Sequence, residues 1–200
     1  MKKKIALMMA TMMTAAAIAP MAYAEAETEA ALGTTVDNPI ECDYHDMDPD
    51  VYEGAWVSTG LGFDMYLPAD WVLTDISDEE AEAGLVFRAG EEGGGANVCI
   101  TCTLIPEEVA DTYDYEAMKA EYDAAGISAM YADLNGIPAI LFDNEDAKVS
   151  GFSIIPGDGT LISGVIAPPS DEEYDDYAPY GQNMVMSVSP TEEAETEAAE

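Results

Sequence analysis

The chain has 200 residues, of which 41 are acidic and six basic, giving a formal net charge of −35 at pH 7 and a sequence pI of about 4.1. A surface this acidic repels phosphate backbones and anionic lipid headgroups. The composition therefore argues against nucleic-acid binding and favours a neutral or cationic partner.

The first 24 residues have the features of a secretory signal peptide. Three lysines at positions 2–4 precede an apolar run, which is followed by Pro20 and by Ala-Tyr-Ala at positions 22–24. This order predicts export with cleavage after Ala24. The run of about 15 apolar residues is shorter than the roughly 20 that span a bilayer, so no membrane span is expected after cleavage, and a retained anchor is the alternative. The mature chain would keep three bases against all 41 acids, a formal charge of −38.

The acidic heptapeptide EAETEAA occurs twice, at residues 25–31 and 193–199. Acidic runs padded with alanine and threonine carry too little apolar bulk to offset the entropy lost on ordering. We therefore expect an acidic disordered linker over residues 25–50, one folded domain over residues 51–190 and an acidic disordered tail over residues 191–200.

Strand patterns dominate the central region. FDMYLP (residues 63–68) alternates apolar and polar side chains, and LVFRA (85–89) and NVCITCTLI (97–105) flank a glycine-rich loop. ISAMYAD and IPAILFD surround Asn135-Gly136, a strong hairpin signal, and VSGFSII and TLISGVIA surround PGDG at residues 156–159. These patterns predict antiparallel strands joined by short turns.

Two helices are predicted. Residues 114–125 place Tyr115, Met118 and Tyr122 on one stripe before Gly126. Residues 170–173 (SDEE) match a capping box, which predicts a last helix from about residue 171. Pro179 lies within its apolar stripe and predicts a kink or two short helices. Strands that pair with neighbours, together with two helices, predict an α+β fold, an antiparallel sheet with helices packed on it.

At this point the chain resembles a known family. GFDMYLPADW, the central helix, NGIPAILF, the paired strands FSIIPGDGTLISGVIAPP and a last helix ending in MSVSP resemble the PsbP-like α/β/α sandwich family over residues 60–190. Secreted bacterial members of unknown role share this pattern. The resemblance implies a binding or assembly module, as in photosystem subunits and Ran-binding proteins. It carries over no site residue, because no site motif matches.

Three cysteines offer a disulfide or redox chemistry. Cys99 and Cys102 have C-x-x-C spacing, but alternation along a strand points their side chains to opposite faces, so they are not expected to bond to each other. Export is compatible with a disulfide, and Cys42 could pair with Cys99 or with Cys102, which would leave the third cysteine free. Small apolar filler is the other interpretation of Cys102.

The segment ECDYHDMDPD (residues 41–50) is the candidate metal site. It could collect calcium weakly through Asp43, Asp46, Asp48 and Asp50, although it lacks the turn glycine and the closing bidentate acid of an EF-hand. A solvated acidic linker is the competing interpretation. No cofactor other than calcium is expected.

Catalytic signatures are missing from the sequence. No histidine lies within residues 51–190, and no nucleophile elbow, phosphate loop or zinc-protease motif occurs. The sequence therefore predicts no enzyme but a secreted, monomeric, non-catalytic binding or assembly module whose partner is an unknown protein or envelope component. A small carboxylate-based hydrolase of surface polymers and a low-affinity calcium-binding envelope protein are the alternatives.

Overall fold

The computed structural model describes residues 32–191. The predicted signal peptide, residues 25–31 of the predicted linker and residues 192–200 of the predicted tail lie outside the described residues. Within the described part of the chain, no helix is both long and apolar enough to cross a membrane.

The described residues contain eleven strands and three α-helices. The strands are β1 (Ile40–Cys42), β2 (Gly54–Ser58), β3 (Phe63–Pro68), β4 (Val72–Leu73), β5 (Leu85–Gly90), β6 (Asn97–Leu104), β7 (Ser128–Leu134), β8 (Ile137–Asn144), β9 (Val149–Ile154), β10 (Thr160–Ala167) and β11 (Ser189–Pro190). The helices are α1 (Asp78–Glu82), α2 (Tyr115–Ala124) and α3 (Tyr174–Met186).

The strands form two sheets. The larger has the order β1-β7-β8-β9-β10-β6-β5-β4, and the smaller has the order β11-β3-β2. Every pairing is antiparallel except β1 with β7, which is parallel. The predicted α+β class, an antiparallel sheet with helices packed on it, is confirmed.

The two predicted hairpins form where their turn residues stand. Asn135 and Gly136 have φ values of 52° and 91°, as a two-residue turn between β7 and β8 requires. Gly157 and Gly159, between β9 and β10, also have positive φ. These turns fix the register of each hairpin, and the register decides on which face of the sheet the apolar side chains lie.

One face of the large sheet forms the main core. It packs against β3 and α3, and Phe63 of β3 contacts the ring of Phe152 edge to face at 5.8 Å. The fully buried side chains of this core include Met65, Leu67, Val98, Ile100, Leu134, Phe152, Met184 and Val188.

The opposite face is covered by α2. Met118 is buried against Ala129, Tyr131 and Ile140, and Tyr122 stacks on the ring of Phe142 at 5.1 Å. The sheet is thus sandwiched between α2 on one side and α3 with the small sheet on the other.

The domain begins earlier than predicted. β1 pairs with β7 along Ile40–Cys42, and a buried amide, Asn183, exchanges two hydrogen bonds with the backbone of Asp48, at 3.1 and 2.7 Å. Residues 32–50 therefore lie against the domain, and the predicted boundary at residue 51 is corrected. The acidic composition of this segment does not favour order, but backbone pairing with a strand far along the chain orders it.

The last helix differs from prediction in two ways. Ser170 Oγ bonds only the side chain of Glu173, at 2.7 Å; residues 171–173 form a short 3-10 turn, and α3 begins at Tyr174. The capping box predicted there is not formed. The helix also continues through Pro179 as one element, so the predicted division into two helices is wrong.

Candidate functional site

The residues predicted to bind calcium do not form one cluster. Asp43 caps a 3-10 turn, where its carboxylate accepts hydrogen bonds from the backbone N–H of His45 and from its ring Nδ1, at 2.8 and 2.7 Å. Asp48 accepts from the backbone N–H of Asp50 at 2.9 Å. Among the described residues, no three carboxylate, histidine or cysteine side chains are placed to share a metal ion. Weak calcium binding by Asp43, Asp46, Asp48 and Asp50 stays a prediction.

The predicted disulfide does not fit this topology. Cys42, Cys99 and Cys102 are free thiols. Cys42 lies in β1, and five strand steps of about 4.8 Å each separate it from β6, which holds the other two. A disulfide needs Cα atoms within about 7 Å, so the pairing of Cys42 with Cys99 or Cys102 is corrected. In agreement with the predicted alternation, Cys102 packs on the main core and Cys99 does not.

A groove lies between α3 and the β1 end of the large sheet. Its volume is about 610 Å³, within the range of ligand-binding clefts. Apolar side chains from the sheet form the floor, and α3 forms the wall. The floor and wall include Ile40, Met130, Leu141, Ile166, Val185 and Met186.

Within the groove, α3 approaches the sheet closely at Gly181. Gly181 faces the sheet without a side chain: a Cβ there would lie 3.2 Å from Ser150 Oγ and 3.9 Å from Ile166 Cγ2.

Carboxylates surround the groove. Glu41, Asp143, Glu145 and Asp175 line it. The Tyr174 hydroxyl donates to the Asp143 carboxylate, and Lys148 Nζ lies 5.0 Å from the centroid of the Tyr174 ring. Partial burial, followed by the charge of Glu145, raises the pKa of Asp143 above its usual value. The rim therefore carries negative charge above an apolar floor, an arrangement suited to a neutral or cationic ligand.

The groove offers a poor nucleophile. Cys42 lines it, but burial, followed by the charges of Asp133 and Glu41, raises the pKa of its thiol to about 11. A protonated thiol is unreactive at neutral pH. His45 contacts Asp43 and the Tyr44 ring and does not line the groove.

The three cations of the described residues are all engaged by neighbours. Arg88 forms two hydrogen bonds with Glu80 at 2.8 and 3.0 Å, Lys119 bonds Asp123 at 2.8 Å, and Lys148 lies over the Tyr174 ring. Eight of the 41 acids lie outside the described residues, which leaves 33 carboxylates against these three cations.

Sequence reasoning missed the groove. No sequence pattern links Tyr174 of α3 with Asp143, which lies near the end of β8, far from α3 along the chain. Only the packing of α3 on the sheet brings these residues to one cleft.

Comparison with known proteins gives a structural similarity and no sequence match. No protein-family model matches the chain, and no curated protein sequence matches it. The solution structure of cyanobacterial PsbP (CyanoP) from Synechocystis sp. PCC 6803 is similar over 70% of this chain and 94% of that chain, with 16% identity and a TM-score of 0.46. At this identity and TM-score the similarity says nothing about what the chain binds.

Proposed function

We propose that this chain works outside the cytoplasm as a non-catalytic binding or assembly module for a neutral or cationic protein or envelope component. The observation that carries the proposal is the charge of the described surface, 33 carboxylates against three cations that are each held by a neighbour. Export rests on the predicted signal peptide. Such a field raises the encounter rate with cationic surfaces and excludes anionic ones.

The groove between α3 and β7 is the proposed contact surface. It combines an apolar floor with a carboxylate rim, and Met130 remains 41% exposed on its β7 side. Apolar contact would supply affinity there, while the rim would select against anionic groups.

The test uses the partner captured from the cell envelope by cross-linking and then purified. Met130→Glu adds a charge to the groove and should weaken the complex at least about tenfold, because it buries a carboxylate against apolar surface. The matched control is Leu104→Glu, since Leu104 is 81% exposed at the end of β6 and does not line the groove. Equal loss in both variants would contradict the groove assignment.

Salt dependence tests the charge itself. Exposed charges are screened beyond about 8 Å at physiological ionic strength, so the association rate should fall as salt is added. A rate that stays constant between low and high salt would contradict electrostatic steering.

A carboxylate-based hydrolase is the second candidate, and one observation favours it. Asp143 has a raised pKa, bonds the Tyr174 hydroxyl and shares a cleft with Glu145 and Asp175, which is the setting of a general acid. Turnover of a glycan or peptide that is lost in Asp143→Asn and kept in Asp146→Asn would establish this function in place of the binding module.

A further inference from the structure

A second, smaller pocket lies beside α3 and shares one lining residue, Tyr177, with the groove. Its volume is about 370 Å³, and it is formed where the turn after β3 meets α3 and the end of β5. Four aromatic residues line it: Tyr52, Trp71, Tyr177 and Tyr180.

Three of these rings form a fixed stack. Tyr52 stacks on Tyr180 at 5.4 Å, and Tyr180 stacks on Tyr177 at 4.6 Å. The stack continues to Tyr66, which does not line the pocket: Tyr52 stacks on its ring at 5.8 Å and donates to its carbonyl at 2.9 Å. The rings are thus positioned before any ligand arrives.

Three carboxylates, Glu53, Asp70 and Glu91, line the same pocket. Among the described residues, none of them has an ion-pair partner or a side-chain hydrogen bond, since the three cations are engaged elsewhere. Three unneutralised charges around one concave surface produce a strongly negative potential.

The Tyr177 hydroxyl adds an unsatisfied group. Its oxygen is buried and has no hydrogen-bond partner within residues 32–191. Burial, followed by the charge of Glu91, raises its pKa, and Asp70 also contributes. Buried hydroxyl groups normally have a hydrogen-bond partner, and since Tyr177 lines this pocket, a donor bound here would supply one.

We propose that this pocket binds an alkylammonium group, carried either by a free amine or by a lysine side chain of a partner protein. Aromatic faces that are not covered by stacking attract cations through the ring quadrupole, the three carboxylates accept hydrogen bonds from the ammonium, and the Tyr177 hydroxyl oxygen provides a further acceptor. The inference deepens the proposed function, because it names the chemical group that the cationic partner would present.

Cadaverine, a diamine with an alkyl chain, is the probe for the free amine. Trp71 lines the pocket, and the only other tryptophan is Trp56, so Trp56→Phe makes Trp71 fluorescence a specific reporter. At constant ionic strength the fluorescence should change saturably, with a Kd of about 1 mM or tighter. The diol of the same chain length should give no change. An equal response to the diol, or displacement by magnesium at matched charge, would overturn the proposal.

Matched charge variants separate the pocket from the general field. Asp70→Asn with Glu91→Gln should weaken cadaverine binding at least about fivefold, while Asp111→Asn with Glu107→Gln, which removes the same charge from an exposed loop, should leave it within about twofold. Equal weakening in both pairs would show a general charge effect and overturn the site.

An oligolysine peptide distinguishes the two sources of the ammonium group. If the pocket pair weakens peptide binding more than the loop pair does, the pocket accepts lysine side chains. If it weakens cadaverine binding alone, the pocket accepts free amines. The envelope partner then tests the proposed function separately: its retention by the pocket variants, together with loss of cadaverine binding, supports the pocket and assigns the partner contact to another surface.

Discussion

Cys42 and Cys99 are buried thiols on separate strands, and burial raises the pKa of each to about 11. At about pH 8 only about a thousandth of such a thiol is thiolate, which is the reactive form. We expect a thiol reagent to modify half-buried Cys102 first and the other two only as the domain unfolds.

The denatured chain provides the control for this labelling. Without reductant it should titrate as three thiols per molecule, because the fold leaves all three cysteines free. A single thiol would reveal the disulfide that this topology argues against.

Asn135 joins three parts of the molecule through one side chain. Its Nδ2 donates to the carbonyls of Met186 and Val188 at 2.8 and 2.9 Å, and its Oδ1 accepts from the backbone N–H of Tyr44 at 3.0 Å. Asn135→Ala removes these bonds and places alanine at positive φ, so we expect a loss of about 2–4 kcal/mol in the free energy of unfolding.

Asn135→Gly separates the two causes. Glycine accepts the φ of 52° without strain but makes no side-chain bonds. Urea unfolding should therefore place it between the wild type and Asn135→Ala. Equal stability of Asn135→Gly and wild type would mean that the three bonds contribute nothing.

At the scale of elements, Gly181 sets the distance between α3 and the sheet. Gly181→Leu should destabilise the domain by about 1–3 kcal/mol, because its side chain would meet Ser150 and Ile166. Gly181→Ala should stay within about 1 kcal/mol of wild type, since better helix propensity offsets the tight contact with Ser150. Thermal unfolding measures both. Gln182→Leu, on the exposed side of the same turn, is the control and should change stability by no more than about 0.5 kcal/mol.

The short helix α1 is held to β5 by one ion pair. Hydrogen bonds from Arg88, followed by those from Ser77, lower the pKa of Glu80 to about 2. Because the pKa of Glu80 is lowered in the fold, the ion pair contributes its full stability above about pH 4.5, the ordinary pKa of this carboxyl. That contribution is lost as the pH falls from 4.5 towards 2. The pair is solvent-accessible, so Glu80→Gln should cost only about 0.5–1 kcal/mol at pH 7.

The pH dependence of the stability of Glu80→Gln tests this explanation. The stability difference between Glu80→Gln and wild type should shrink between about pH 4.5 and pH 2. Glu79→Gln, on the same helix, should show no such change. A difference that stays constant over this interval would contradict the ion-pair explanation.

For the whole molecule, excess negative charge opposes compactness. The described residues hold 33 carboxylates and three cations, and self-repulsion among them is screened by salt. The Debye length falls from about 30 Å at 0.01 M salt to about 3 Å at 1 M. We expect the thermal unfolding midpoint at pH 7 to rise with sodium chloride over this range, as followed by circular dichroism.

Calcium chloride at the same ionic strength tests the predicted weak site. Stabilisation beyond that of sodium chloride should appear only at about 0.1–1 mM calcium or above, the range of loose extracellular sites. Stabilisation by micromolar calcium would show that Asp43, Asp46, Asp48 and Asp50 form an ordered site.

The sequence predicted what local patterns determine. Strands β3 and β5 to β10, both hairpins and α2 follow from periodicity and turn residues, which act over a few positions. The tetrapeptide SDEE, which occurs twice, shows the limit of local patterns. At residues 77–80 it forms a capping box, in which the Ser77 N–H donates to Glu80 at 2.9 Å. At residues 170–173 it forms no capping box. The tertiary surroundings decide which of the two copies forms a capping box. The groove and the smaller pocket lined by tyrosines also depend on tertiary packing, because their walls come from segments that are far apart in the chain.

Strand β1 has a consequence for the order of folding. It pairs Ile40 with Ala132, so its partner strand is made long after it during synthesis. Closing so long a loop costs entropy, and only the hydrogen bonds to the completed edge of the sheet offset this cost. The β7–β8 hairpin, in contrast, forms from residues that are neighbours in the chain. We therefore expect β1 to dock in a late folding step, with the weakest protection of its amides against hydrogen exchange among the strands that pair with β7. Residues 32–39, which lead into β1, would then take their place only after the rest of the sheet is complete.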